Sequence, residues 1–319
     1  FMNSLLGNNS DNGINCDAFV SLGYNLYQTL PCTIAVTDMI AAPQIDLLAS
    51  NGGLTQTHAL QAQSPAVDGG NPVPRFSEFN AGNINLLQVN GGARLDNNTL
   101  LLADESTWVG SAFVPNPMNP NQDFSAQFDF QITPGQNPGQ ASDGITFTIA
   151  DTPTVLGGGG GLLGIAVYNI GVTGATGIMN GVSVEFDTWV NGQAESANDP
   201  GSNDHVGINI NGSLSSLSTQ ILGPHGTLSD GSTWTAWIDY DSTSNTLEVR
   251  TSNTGIRPVA ATLSETVNIA ALTGPNAYVG FTGAAAGGSI AGRHRIAAFS
   301  FDNSCESTDQ RGIARPQGA

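Results

Sequence analysis

Val182-Ser183-Val184-Glu185-Phe186-Asp187-Thr188-Trp189-Val190-Asn191 reads as a β-strand running into a loop. In a strand, residues i and i+2 face the same way. Val182, Val184 and Phe186 then enter a core, and Glu185 and Asp187 stand together on the opposite face. Two carboxylates that close repel each other unless a cation or a shared proton lies between them. Downstream, Asn198-Asp199-Pro200-Gly201-Ser202-Asn203-Asp204-His205 adds carboxylate and amide oxygens and one imidazole. Oxygen donors suit Ca2+, and carboxylates mixed with imidazole suit a transition ion such as Mn2+. The competing reading is an acidic strand face in water, with His205 as an ordinary turn residue. Six potential ligands between residues 185 and 205 favour the metal.

The same period of two recurs along most of the chain. Ala126, Phe128, Phe130 and Ile132 share one strand face, with Gln127, Asp129 and Gln131 opposite. Ile145, Phe147 and Ile149 alternate with Thr146 and Thr148. Trp234, Ala236, Ile238 and Tyr240 alternate with Thr235, Trp237 and Asp239. Ile296, Ala298, Ser300 and Asp302 are expected to oppose Ala297, Phe299 and Phe301. Turn clusters such as Asp241-Ser242-Thr243-Ser244-Asn245 separate these runs. Many short strands with Gly, Asn and Ser turns imply an all-β sandwich or barrel.

The 319 residues carry eight Arg, no Lys and 26 Asp plus Glu, a formal net charge of −18. That balance excludes a phosphate-neutralising nucleic-acid face and adsorption to anionic lipid. Charged residues are 11% of the chain, and 40 glycines mark turn chemistry. No apolar run approaches the ~20 residues of a membrane span. From Phe1 onward no charged stretch leads into an apolar one, so no signal peptide is expected in this stretch, which reads as a piece of something longer. Three cysteines, Cys16, Cys32 and Cys305, in an acidic chain without Lys suggest an extracellular, secreted or cell-surface setting. Either one bridge forms and one Cys has a partner outside this stretch, or all three are buried thiols.

Residues 1–70 have another texture. Short apolar pieces (Leu5-Leu6, Leu22 to Leu26, Ile45 to Leu48) are spaced by Asn and Gly. That suits stacked coils of a parallel β-helix, with Asn and Gly at the corners. Seventy residues bury little core, so further coils are expected before Phe1.

This segment resembles the C-terminal cap of bacterial surface β-helix proteins of the choice-of-anchor type. The family's closing motif is similar to Cys305-Glu306-Ser307-Thr308-Asp309-Gln310-Arg311-Gly312-Ile313-Ala314-Arg315-Pro316-Gln317-Gly318. The resemblance covers 1–72 and 305–319, and implies that a whole domain, about 75–304, is inserted in a loop of the cap. It also implies a Cys16–Cys32 bridge and a partner for Cys305 beyond Ala319.

The inserted stretch resembles bacterial L-type (legume-type) lectins. The resemblance is carried by ASDGITFTIAD (141–151), LGGGGGLLGI (156–165), GVSVEFDTWVN (181–191), NDPGSNDHVGININGS (198–213), GSTWTAWIDYDSTSNTLEVRTS (231–252), NAYVGFTGAAAGG (276–288) and HRIAAFSFD (294–302). It implies a concanavalin-like jelly-roll sandwich of two antiparallel sheets, and glycans as partners. Residue by residue, it makes Glu185 a transition-metal ligand and Asp187 and Asp199 ligands of both ions. The Trp189 carbonyl and the Asn191 side chain bind Ca2+, and His205 binds the second ion, Mn2+ or another transition metal. The loop before His205 is one residue longer than is common in the family, which leaves Asn203 and Asp204 as alternative ligands.

A sugar site needs a carboxylate acceptor, amide donors and an apolar platform for the ring. The resemblance assigns these to Asp143, preceded by a cis peptide bond, to the N–H of Gly161 and to Asn191. Trp189 is either a sugar platform or a rim aromatic whose carbonyl matters. The stretch from Gly283 to Gly288 is expected to be the loop that sets sugar preference. Its small residues either leave the pocket open to larger glycans or make the loop flexible. The glycine run 157–161 lacks the Lys-Ser/Thr of a phosphate loop. His58, His225 and His294 have no supporting acid–base context and are expected to be structural.

Two other functions compete with a calcium-dependent lectin module of an adhesin-like surface protein. Laminarinase-like hydrolases resemble this jelly roll and carry Glu-x-Asp-x-x-Glu on one strand. Their retaining chemistry needs two carboxyls ~5–5.5 Å apart, and Val190 stands where the second Glu belongs, so no catalysis is expected. A structural filament subunit that has lost its ligand is the third reading, opposed by the retained Asp143, Gly161 and Asn191.

Overall fold

Alternation of apolar and polar side chains gives strands that bury one face each, and two such faces close a core. The structure is a computed structural model that describes residues 5–6, 26–27, 39–42, 44–50, 56–59, 61, 64, 75–137, 141–167, 177–189, 191, 203–224 and 226–303. The chain divides into two compact units, Phe1–Val73 with Cys305–Ala319, and Pro74–Ser304.

In the first unit, β1 (Leu5–Leu6), β2 (Leu26–Tyr27) and β3 (Met39–Ile40) pair in parallel in that order. The stacked β-helix coils expected from the sequence are not seen among the described residues. Cys16, Cys32 and Cys305 lie outside the described residues, as does the return segment 305–319.

The second unit holds β4 (Arg75–Phe76), β5 (Gln88–Gly91), β6 (Arg94–Asp96), β7 (Thr99–Ala103), β8 (Val109–Phe113), β9 (Phe124–Thr133), β10 (Asp143–Ala150), β11 (Gly181–Asp187), β12 (Asn203–Ile210), β13 (Ser218–Pro224), β14 (Thr233–Asp241), β15 (Thr246–Ser252), β16 (Leu263–Thr266), β17 (Tyr278–Ala285) and β18 (Arg293–Asn303). One antiparallel sheet runs β13-β12-β11-β10-β17-β8-β5. The other runs β16-β15-β14-β9-β18-β7-β6, with β4 paired to β18. Of the sandwich or barrel that the alternation implies, the structure is the sandwich, with the two antiparallel sheets that the lectin resemblance implies.

Phenylalanines from both sheets fill the space between them. Phe128 of β9 stacks on Phe147 of β10 with ring centroids 5.8 Å apart, and meets Phe281 of β17 edge-on at 5.0 Å. Phe130 and Phe186 approach to 4.7 Å, and Phe281 and Phe299 to 4.9 Å. The expected alternation fails in β18. A bulge between Ile296 and Ala298 inserts one residue, so Ile296, Phe299 and Phe301 are all buried.

All eight residues of β10 are buried, because its outer face is covered as well. Val155, Leu162, Leu163, Ile165, Ala166 and Ile178 form a second apolar layer there. Beneath it Thr146, Thr148, Thr282 and Ser183 share hydroxyl hydrogen bonds of 2.7–2.9 Å, and Thr282 also donates to the Leu163 carbonyl at 2.6 Å. Each of these four buried hydroxyls thus has a partner, which burial demands.

Phe128→Ala is expected to cost about 3–5 kcal/mol of folding stability, as a lost aromatic and the cavity it leaves. Denaturant unfolding measures it, and a loss below ~1 kcal/mol contradicts this core.

Candidate functional site

β11 lies between β10 and β12, and its outward residues meet theirs. Asp187 faces Gly144 on one side and His205 on the other, while Glu185 faces Thr146 and Gly207. Glu185, Asp187 and His205 are all buried, with 3%, 6% and 3% of their surface exposed. Gly207 makes room for this: a Cβ there would stand 2.3 Å from Glu185 Oε1. Gly144 does so from the other strand, where a Cβ would stand 2.4 Å from the Phe186 carbonyl oxygen.

Glu185 is held at both oxygens. Asn209 Nδ2 donates to Oε2 at 2.5 Å and Ser216 Oγ to Oε1 at 2.7 Å. His205 Nε2 lies 3.4 Å from Oε1. Asp187 Oδ1 accepts the Trp189 N–H at 2.7 Å. Burial pushes the Asp187 carboxyl well above the usual carboxylate range; His205 opposes the rise, and the charges of Glu185 and Asp143 add to it.

A divalent cation fits this donor set on chemical grounds. The charged forms of two buried carboxylates need a positive partner, and the imidazole beside them adds a nitrogen donor. Among the described residues no three His, Cys, Asp or Glu side chains gather about one point. Asp199 lies outside the described residues, as do Val190 and the side chain of Asn203. Asp204, the other alternative ligand, anchors a turn instead. Its oxygens accept the N–H groups of Gly226 at 3.2 Å and Leu228 at 2.6 Å.

Asp143 begins β10 directly after a cis Ser142–Asp143 peptide bond and is buried. Thr188, the residue after Asp187, holds it in place. Its N–H donates to the Asp143 carbonyl at 2.8 Å, and its hydroxyl donates there at 2.7 Å and to the Ala141 carbonyl at 2.5 Å. The strand that carries the acidic pair is therefore tied to the main chain of Asp143.

Gly161 sits in a short 3-10 turn, Gly160–Leu162. A Cβ on Gly160, whose φ is +64°, would stand 3.9 Å from Asp143 Oδ2, so the glycine loop runs beside this carboxylate. The loop N–H groups of Gly157 and Gly158 donate to the carbonyls of Gly164 and Ala166 at 2.7 and 2.8 Å. Trp189 and Asn191 are half-buried beyond the end of β11. Gly283, Ala284 and Ala285 belong to β17 rather than to a loop, and a Cβ on Gly283 would stand 2.6 Å from Leu102 Cβ. The loop begins after Ala285.

Three residues of the site escape the sequence reading. Asn209 stands four residues past His205 on the same strand, so period two could have found it. Ser216 reaches Glu185 from beyond the strand, and Thr188 acts through main-chain carbonyls; neither has a sequence signature. Of the three histidines expected to be structural, His294 is fully buried, and burial lowers its pKa to about 4. His58 lies exposed with Nδ1 2.7 Å from the Asp46 carbonyl, and His225 is outside the described residues.

Comparison with known proteins agrees with this geometry. Residues 75–316 match the legume lectin domain. An L-type lectin-domain containing receptor kinase VIII.1 of Arabidopsis thaliana is 29% identical over 253 residues; the match covers 76% of this chain and 33% of the kinase, so the chain spans about one third of that relative. A galactose-binding lectin of Arachis hypogaea is 32% identical over 192 residues, covering 60% of this chain and 63% of that lectin. The structure of a lectin from Bauhinia forficata in complex with GalNAc superposes with a TM-score of 0.58 at 24% identity, covering 72% of this chain and 96% of that one; it shares the fold. The chain belongs to the legume lectin family, as a carbohydrate-binding domain of that fold.

Proposed function

We propose that the domain binds glycans in a calcium-dependent way and performs no catalysis. The observation that carries the reading is the tie between Thr188 and the Asp143 carbonyl, which couples a buried acidic pair to a carboxylate beside the glycine loop. In this reading Glu185 and His205 hold a transition ion, and Asp187 and Asp199 hold both ions. The Trp189 carbonyl and the Asn191 side chain would bind Ca2+. Bound ions would supply the positive charge that the buried carboxylates need.

The chain's own groups then grip the sugar. The Asp143 carboxylate accepts from vicinal hydroxyls, and the Gly161 N–H and the Asn191 amide donate to ring or hydroxyl oxygens. Trp189 offers an apolar wall. Val190 stands where a jelly-roll hydrolase carries its second carboxylate, which supports binding without turnover. Galactose and N-acetylgalactosamine are the first sugars to test, since relatives are named for them. We place the domain in a secreted or cell-surface, adhesin-like bacterial protein, with residues 1–72 and 305–319 as a β-helix cap and Cys16 bridged to Cys32. The acidic chain without Lys and the two-part division of the chain support this setting.

Glycan-array binding is expected to vanish in EDTA and return with Ca2+. Asp143→Ala and Asn191→Asp are each expected to weaken it about 100-fold or more, as charge-assisted hydrogen bonds are lost or reversed. Unchanged binding in both variants contradicts the pocket.

Asp187 gives a pH signature. Without a bound cation, burial makes its folded-state carboxyl keep its proton to higher pH than the unfolded chain, whose value is near 3.8. In chelator, its contribution to stability is lost as pH rises from that value through the raised folded pKa, by at most about 1.4 kcal/mol per pH unit. Asp187→Asn is expected to flatten that slope in urea unfolding at several pH values, and saturating Ca2+ to abolish it. An equal slope in wild type and variant contradicts the assignment.

A further inference from the structure

Trp108 is 60% exposed, although it is one of only four tryptophans in the chain. It precedes β8 and lies between two glycine loops. A Cβ on Gly159 would stand 3.5 Å from Trp108 Cβ, and a Cβ on the next residue, Gly160, would stand 3.9 Å from Asp143 Oδ2. On the other flank, a Cβ on Gly287 would stand 3.7 Å from Trp108 Cζ2. Neighbouring residues of one loop therefore touch the tryptophan and adjoin the pocket carboxylate.

The sheet gives the same placement independently. The Trp108 carbonyl accepts the Ala285 N–H at 2.8 Å, and Ala285 is the partner of Asp143 in the register of β10 with β17. Trp108 and Asp143 are thus two interstrand spacings apart, roughly 10 Å between backbones. A second sugar residue attached to one held at Asp143 reaches that far.

The indole is also held in advance of any ligand. Nε1 donates to the Glu105 carbonyl at 3.2 Å, which satisfies the polar edge and leaves the apolar faces. The turn below is anchored by Asp104, whose Oδ1 accepts the N–H groups of Ser106 at 2.9 Å and Thr107 at 3.0 Å, and whose Oδ2 pairs with Arg94 at 2.5 Å. A rigid aromatic face flanked by residues without side chains suits a pyranose, whose C–H groups gather on one ring face while its hydroxyls point outward. Preorganisation spares the ordering that binding otherwise costs.

We propose that Trp108 is the platform of a second saccharide subsite contiguous with the Asp143 pocket, so that the domain selects glycans of two or more residues over single sugars. The proposal rests on the carbohydrate-binding reading above.

The full chain, in Ca2+ and Mn2+, is tested on an array carrying galactose, N-acetylgalactosamine, glucose and mannose as single residues and as the ends of di- and trisaccharides. Trp108→Ala, Trp108→Phe and Asp143→Ala are compared with wild type, and near-ultraviolet circular dichroism checks their folding. Wild type is expected to bind its best oligosaccharide at least tenfold more tightly than the matching single sugar. Trp108→Ala is expected to lose that advantage while single-sugar affinity stays within about twofold, and Trp108→Phe to restore most of it. Oligosaccharide affinity that survives Trp108→Ala but not Asp143→Ala overturns the subsite and leaves the pocket standing. Equal losses on single sugars and oligosaccharides in Trp108→Ala also overturn it. Failure of wild type to bind any saccharide on the array overturns the pocket and the subsite together.

Discussion

Two carboxylates buried side by side, Glu185 and Asp187, set the constraint on which the site depends. Water cannot solvate them, and neither is paired to an Arg among the described residues. Their neighbours are an imidazole, an amide, a hydroxyl and the Trp189 main-chain N–H. Such donors ease one negative charge, yet they do not neutralise two. The arrangement costs folding free energy unless a proton or a cation arrives, and a cation is the partner that leaves both carboxylates ionised.

The sandwich makes that burial attainable. The phenylalanine layer on the inner face of the sheet holds β10, β11 and β17 rigidly. The segment after β10 folds over the outer face and shuts out water there, with hydroxyl pairs in place of apolar contacts directly against the sheet. The acidic pair stands at the end of this covered zone, where β11 leaves the sheet. Thr188 and Trp189 follow at once, so any ion that orders the strand end also orders the main chain at Asp143. Under the proposed reading, geometry at the acidic strand and geometry at the Asp143 carboxylate are in this sense one property.

Much of this is legible in the chain. Period two marks the inward residues of β9, β10, β11 and β14, and the Glu185-Phe186-Asp187 spacing alone puts both acids on one face. The limits have physical causes. β18 misleads because a bulge shifts the phase of alternation, and nothing in Ile296-Ala297-Ala298-Phe299 announces an unpaired residue. Gly283 to Ala285 look like loop because small residues also serve a strand that packs tightly against another sheet. Ser216 and Thr188 escape notice because their roles depend on distant main-chain positions. Asp204 looks like a ligand by type, and the main chain just beyond β13 makes it a turn anchor.

The central proposal is that Glu185, Asp187 and His205 would bind a divalent ion. Anomalous diffraction from crystals grown with MnCl2 and CaCl2, recorded at the manganese edge, tests it directly. The account predicts a manganese peak within bonding distance of Glu185, Asp187 and His205, with calcium density nearer Asn191. Well-ordered carboxylates with no anomalous density between them, and saccharide still bound beside Asp143, would contradict it.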